Sequence, residues 1–197
     1  GVLAYECYER GLEPIVNLVA ADDRAFLWRH PLPTGKSMDQ YAMLVVCARR
    51  NGLIASASRL VHFGPIPGEL AKKQDAVVRI DARMMHATRP GKSLGFLYDE
   101  IRRFYEEEGY AGEYERHHQG GLTGYATREK LAVAAETFRV SALQLYAWNP
   151  TIRGVKSEDT ILVHDEGVEL MTATGQYPYL EVNVEGKTYR RPAILQR

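Results

Sequence analysis

His117-His118-Gln119-Gly120-Gly121-Leu122-Thr123-Gly124-Tyr125 sets two adjacent imidazoles against three glycines. Residues 115–119 read as a strand, on which His117 and His118 point to opposite faces and cannot readily share one metal ion. At least one lines a pocket, or one is a buried histidine bonded to the sheet. Gly120, Gly121 and Gly124 strip side chains from a segment that should be well filled, which marks either a cavity or tight packing. A second stretch belongs with it: Trp148-Asn149-Pro150, then Lys156-Ser157-Glu158-Asp159-Thr160. The Glu158-Asp159 pair heads the apolar run Thr160–Val163 and reads as solvated or paired with a base such as Lys156.

Around these stretches the remaining segments fall into alternating elements. Residues 3–10 read as a helix closed by Gly11, and 15–20 as a strand broken by Asp22-Asp23. Phe26–His30 reads as a short strand before a proline-rich loop. Tyr41–Ala48 and Leu53–Phe63 flank Asn51-Gly52, the favoured type I′ pair, and predict a β-hairpin. Apolar residues Leu70, Ala76, Val77, Ile80, Met84 and Met85 fall at helical spacing within 69–89. Ser93 is a candidate N-cap for a helix over 94–108 that stops at Gly109. Strands follow over 144–148, 160–164 and 168–172, with 130–135 a helical turn or a loop. A last hairpin, 179–184 and 187–194, turns at Glu185-Gly186. Strands, two helices, then strands predict an α+β domain with a curved antiparallel sheet.

The chain has 197 residues, enough for one domain over 1–197 with a sizeable core. Lys plus Arg and Asp plus Glu are 25 each, so no general charge excess draws it to nucleic acid or an anionic membrane. Arg190-Arg191 reads as a solvated basic patch. No apolar run approaches the ~20 residues a membrane span needs. Two cysteines, Cys7 and Cys47, make no disulfide framework and suit a reducing cytoplasm. The chain opens without Met, in what reads as mid-helix. The expectation is a C-terminal piece of a longer protein.

Few side chains outside the quoted stretches suggest chemistry. His30, ahead of the proline-rich loop, suits a proton donor at a pocket rim or an ordinary surface histidine. Arg59, in an apolar strand, needs a buried anionic partner or a path to solvent. Cys47 has apolar neighbours and reads as packed and inert. Asp39, Asp81 and Asp99 show no relation to a site. No H-x-x-x-H or C-x-x-C spacing offers a compact metal site.

The order and spacing of these landmarks, from about Gly11 to Thr172, resemble the superfamily of methionine aminopeptidase, Xaa-Pro aminopeptidase, prolidase and creatinase, the pita-bread fold. The hairpin 45–59 matches the family's paired strands, with Gly52 at the turn glycine and Arg59 at the family arginine. The resemblance places the family's metal-binding aspartates at Val45 and Ser56, its metal histidine at Gly121 and its glutamate-proline motif at Asn149-Pro150. Only the last ligand keeps its chemistry, as Glu158. His117 takes the substrate-side histidine, Arg128 a later family histidine, and His30 falls near the proton-shuttling histidine.

Four of five ligand positions therefore carry Val, Ser, Gly and Asn, a poor set for divalent ions. A two-metal hydrolase needs its ions to generate hydroxide and clamp the intermediate. No metal or other cofactor is expected. The resemblance to creatinase, which cleaves a C–N bond on this fold without metal, implies a metal-free hydrolase of a small amidine, amide or amino-acid derivative. His30 and His117 would then be acid and base, and Glu158 would orient water or bind a cationic group. Arg59, His118, Gln119, Trp148 and Asn149 would hold the substrate. The alternative is a catalytically inactive module that binds a peptide or protein, with an active metallo-aminopeptidase last. The partner is a small molecule or short peptide, and a homodimer is expected by resemblance.

Overall fold

The computed structural model describes all residues, 1–197. In chain order, α1 (Val2–Glu9) leads to β1 (Glu13–Ala21), a one-turn helix α2 (Arg24–Leu27), and the hairpin β2 (Tyr41–Arg50) and β3 (Leu53–His62). Then come α3 (Gly68–Ala87), α4 (Leu94–Glu107) and a 3-10 turn at Glu113–Arg116. The second half runs β4 (Gly120–Thr123), β5 (Lys130–Leu131), β6 (Leu145–Trp148), β7 (Thr151–Ile152), β8 (Val155–Lys156), β9 (Asp159–His164) and β10 (Gly167–Leu170). A terminal hairpin, β11 (Tyr179–Val184) and β12 (Lys187–Pro192), precedes β13 (Ile194–Gln196).

This is the predicted α+β pita-bread architecture, with two mostly antiparallel sheets and two long helices. One sheet has the order β1-β2-β3-β13 and the other β10-β9-β6-β4-β5. The β2–β3 turn is the predicted one, with Asn51 and Gly52 both at positive φ (51° and 82°). β13 runs parallel to β3 but pairs only with Leu60–His62. The first half of β3 therefore keeps a free edge, and that edge docks on the second sheet. Ile54 N donates to Gly124 O at 2.9 Å and Ser58 N to Glu158 O at 3.0 Å. The splice between the sheets is where the candidate site forms.

Behind the splice, α3 lies against β7, β8 and the terminal hairpin and buries Val77, Ile80, Met84 and Met85. On α4, Leu97, Ile101, Phe104 and Tyr105 face the same core. Each such aliphatic side chain contributes about 1.5–3 kcal/mol on burial, which makes the helix layer a rigid backing for the sheets. Ser93 caps α4 as expected, accepting from Phe96 N at 3.1 Å.

Local expectations fail where side-chain bonds or long-range pairing override propensity. Phe26–His30 is no strand: α2 covers its start, and the Asp22 carboxylate accepts from the backbone of Asp39, Gln40 and Tyr41 to hold the turn. Residues 115–119 are no strand either, being the end of the 3-10 turn and an irregular approach to β4. Lys130–Leu131 is a short strand, because β4 offers it an edge. Arg191 is not on a solvated patch but fully buried.

Candidate functional site

Extended chain turns successive side chains to opposite sides, and from Lys156 to Asp159 this alternation separates two buried charge clusters. Lys156 and Glu158 face a cavity beside the sheet splice, while Ser157 and Asp159 face α3. On the α3 side, Asp81 Oδ2 accepts from Arg191 Nη2 at 2.5 Å and from Ser157 Oγ at 2.5 Å. Asp159 meets Arg191 at 3.0 Å and Arg59 at 2.9 Å. Burial pushes the Asp81 carboxyl up to about 6, against the pull of Arg191 and Ser157. Two carboxylates here face two guanidinium groups, so the cluster is balanced. Asp159 is the anionic partner that Arg59 required. Asp81, unconnected to anything in the sequence, anchors α3 through this cluster.

On the other side, the cavity holds about 80 Å³. Its walls are apolar at Val16, Leu18 and Val45, and polar at Cys47, Thr127, Asn149 and the charged trio Arg128, Lys156 and Glu158. His30 and His118 stand exposed at its mouth. Glu158 is 2% exposed and fully engaged. Its Oε1 meets Arg128 Nη2 at 3.2 Å, while Oε2 accepts from Ser58 Oγ at 2.6 Å and faces Lys156 Nζ at 3.6 Å. Burial opposes ionisation, but Lys156, Arg128 and the Ser58 hydroxyl outweigh it and hold this carboxyl below its usual range. Two cations thus share one carboxylate, which leaves one positive charge unbalanced.

The three histidines lie near one another, and His117 and His118 are not on a strand. Ring centroids of His30 and His117 lie 5.9 Å apart, and those of His30 and His118 6.2 Å. His117 does not line the cavity. Its Nδ1 bonds the His118 carbonyl, which can only accept, so the ring proton sits on Nδ1. Its Nε2 then accepts from Thr151 Oγ1 at 2.6 Å. Burial, followed by the charge on Lys156, pushes His117 down to about 3. The same two causes lower His30, and burial with Arg128 and Lys156 lowers His118.

Three expected substrate contacts lie away from the cavity. Trp148 is 1% exposed, with its indole N–H spent on Thr88 Oγ1 at 2.9 Å. Gln119 bridges Tyr105 OH and the Tyr114 carbonyl, both at 2.9 Å. Arg59 faces Asp159. Asn149 and His118 do line the cavity. Sequence reasoning offered Lys156 as a partner for the Glu158-Asp159 pair, which the structure bears out, and missed the contact of Arg128 with Glu158. The signal for Lys156 was its place two residues before Glu158, a spacing that puts both on one side of an extended segment.

The residues at the family's ligand positions do not fit a pair of divalent ions. Glu158 is the one carboxylate, and two cations already hold it. Val45 is apolar, and Ser56 Oγ lies 3.1 Å from Cys47 Sγ. Gly121, at the metal histidine's place, has φ +152°, and a Cβ there would lie 2.0 Å from the Lys130 carbonyl oxygen. The backbone itself excludes a side chain at that position. No group of three or more His, Cys, Asp or Glu is arranged to hold a metal ion together.

No helix is long and apolar enough to cross a membrane. The model of metallopeptidase family M24 matches residues 5–165. An uncharacterized peptidase of Staphylococcus aureus strain MW2 is 29% identical over 121 residues, 58% of this chain and 34% of that protein. The chain thus spans about a third of the length of the curated relatives it matches. Among solved structures, Xaa-Pro dipeptidase from Bacillus anthracis superposes with a TM-score of 0.80 at 20% identity, over 99% of this chain and 53% of that one. Prolidase from Pyrococcus furiosus gives 0.78 at 21%, over 88% and 54%. These likenesses extend the fold over nearly the whole chain, and the family model covers the hairpin, both helices and the cavity strands. The chain belongs to metallopeptidase family M24.

Proposed function

We propose that this chain is a metal-independent M24 domain that binds a small molecule or short peptide in the cavity beside Glu158. The observation that carries the reading is the engagement of both Glu158 oxygens by Arg128, Lys156 and Ser58. Fixed cations occupy the charge-compensating role that ions play in the family, and a carboxylate so held is not free to ligate or to orient water. Full-length protein should cleave no Xaa-Pro dipeptide faster with manganese, cobalt or zinc than with chelator. Metal-dependent turnover that chelator abolishes would overturn the reading.

A second reading, metal-free hydrolysis of a small amide, amidine or amino-acid derivative, is favoured by the placement of His30 and His118 at the cavity mouth. Both are held toward the neutral form a general base requires. In that case His30→Ala would abolish turnover of such substrates and leave the fold intact. His117, closed off by its own bonds, would act by positioning the His118 backbone.

A further inference from the structure

β10 and the terminal hairpin lie beyond residues 5–165, the span that the family model covers. β10 pairs only with β9, and β12 only with β11. A two-residue loop, Asp165-Glu166, joins His164 to its partner Gly167. The residues flanking such a loop exchange both backbone bonds, and bonded and unbonded pairs then alternate along the strands. Gly167 and Glu169 therefore bond β9, while Val168 and Leu170 turn their N–H and C=O outward. Met171 N, donating to Thr160 O at 2.9 Å, continues the alternation. The same count across Glu185-Gly186 sets Lys187 and Tyr189 against β11 and turns Thr188 and Arg190 outward. All four outward residues line one groove of about 700 Å³, floored by Met85, Ala173 and Tyr189. All four are at least partly exposed. Apart from a 3.5 Å contact of Arg191 Nη1 with the Arg190 carbonyl, no protein group bonds their outward backbone.

An open strand edge is a template for another strand, and proteins commonly blunt such edges with Pro, Lys or a bulge. β10 carries none of these from Gly167 to Leu170. We propose that an extended acidic segment of a partner protein adds to the β10 edge as a sixth strand of that sheet, with β12 as the facing wall. The charges favour an acidic segment. Lys187 and Arg190 line the groove against one carboxylate, Glu166. Arg190 has Glu181 at 3.3 Å, whereas Lys187 Nζ donates only to the Glu166 carbonyl, at 2.8 Å. Arg89 Nη1 and Lys187 Nζ each lie 3.9 Å from where a Gly167 Cβ would stand, which brings a further cation to this end of the edge. At about 3.4 Å per residue, β10 offers an edge of roughly 14 Å, the length of a four- to six-residue segment.

Fluorescence polarisation on the full chain tests this with a dye-labelled, end-blocked hexapeptide alternating glutamate and valine. It should bind, and its lysine–valine counterpart at least about tenfold more weakly. Peptides N-methylated at alternate residues lose the N–H groups of one edge, and in at least one of the two registers binding should vanish. Val168→Pro removes an N–H that takes no part in the β9 ladder, and should abolish binding in a protein that still melts cooperatively. Val168→Thr keeps that N–H and should bind as the parent does. Lys187→Glu should weaken binding at least about tenfold. Hydrogen exchange at the Val168 and Leu170 amides should slow when the peptide is added. No binding of the acidic peptide, tighter binding of the lysine peptide, tolerance of both N-methylated registers, or unchanged exchange at both amides would each overturn the inference. So would a homodimer sealed through β10 that the peptide fails to displace. Should Val168→Pro not fold, the N-methylated peptides and the exchange measurement decide alone.

Discussion

Replacing Glu158 with Gln keeps the side chain's shape and removes the single negative charge of the cavity cluster. Glu158 is 2% exposed, as is the Lys156 side chain, and the Arg128 side chain is 7% exposed. Glu158→Gln would leave two buried cations facing a neutral amide. Removing one partner of a buried ion pair costs about 3–5 kcal/mol, since the remaining charge cannot regain its hydration. A domain of this length shifts its Tm by about 2–4 °C per kcal/mol, so the drop should be roughly 6–20 °C. Differential scanning calorimetry at pH 7 measures it directly. Adding Lys156→Met removes one stranded cation and should restore much of the loss. The double-mutant cycle should show a coupling of at least ~1 kcal/mol. A Glu158→Gln protein within a degree of the parent, or additive effects in the double mutant, would refute the claim that the trio works as one charge-balanced unit.

Lys156→Met alone should leave stability unchanged or raise it by roughly 1–2 kcal/mol, because it removes the surplus buried charge, and urea midpoints report the sign. Gly121→His, which restores the family's ligand type, should cost about 3 kcal/mol or more from backbone strain and collision with Lys130, and an intact urea midpoint would contradict this. The His117 ring should remain neutral at pH 5 by NMR, with its proton on Nδ1. Its folded pKa lies below the ordinary 6.5, so the stability it contributes is full above about pH 6.5 and is lost as pH falls toward about 3. His117→Gln should flatten that slope, and a ring titrating near its ordinary value would contradict the burial argument.

Local chemistry made some of this readable in advance. The Asn51-Gly52 hairpin, the Ser93 cap and the helical spacing of Val77, Ile80 and Met84 each follow from constraints carried by a few adjacent residues. The spacing of Val45, Ser56, Gly121, Asn149 and Glu158 was likewise legible against the family pattern. The contacts that hold Glu158 were not. Arg128 reaches Glu158 across the splice between two sheets, and nothing near residue 128 records which carboxylate it will meet. Arg191 looked solvated beside Arg190 because its partners, Asp81 and Asp159, are distant in sequence. His117 and His118 were placed on a strand, but the 3-10 turn at Glu113–Arg116 takes up that chain, with Arg29 paired to Glu113 and hydrogen-bonded to Thr151 at 2.6 Å.

The account turns on whether fixed cations have taken the place of metal ions at Glu158. Plasma mass spectrometry on the full-length protein, incubated with manganese, cobalt or zinc and then desalted, measures this most directly. The arrangement of Arg128, Lys156 and Gly121 predicts no retained metal and a melting temperature indifferent to added ion. About two ions per chain, bound tightly enough to survive desalting, would contradict it.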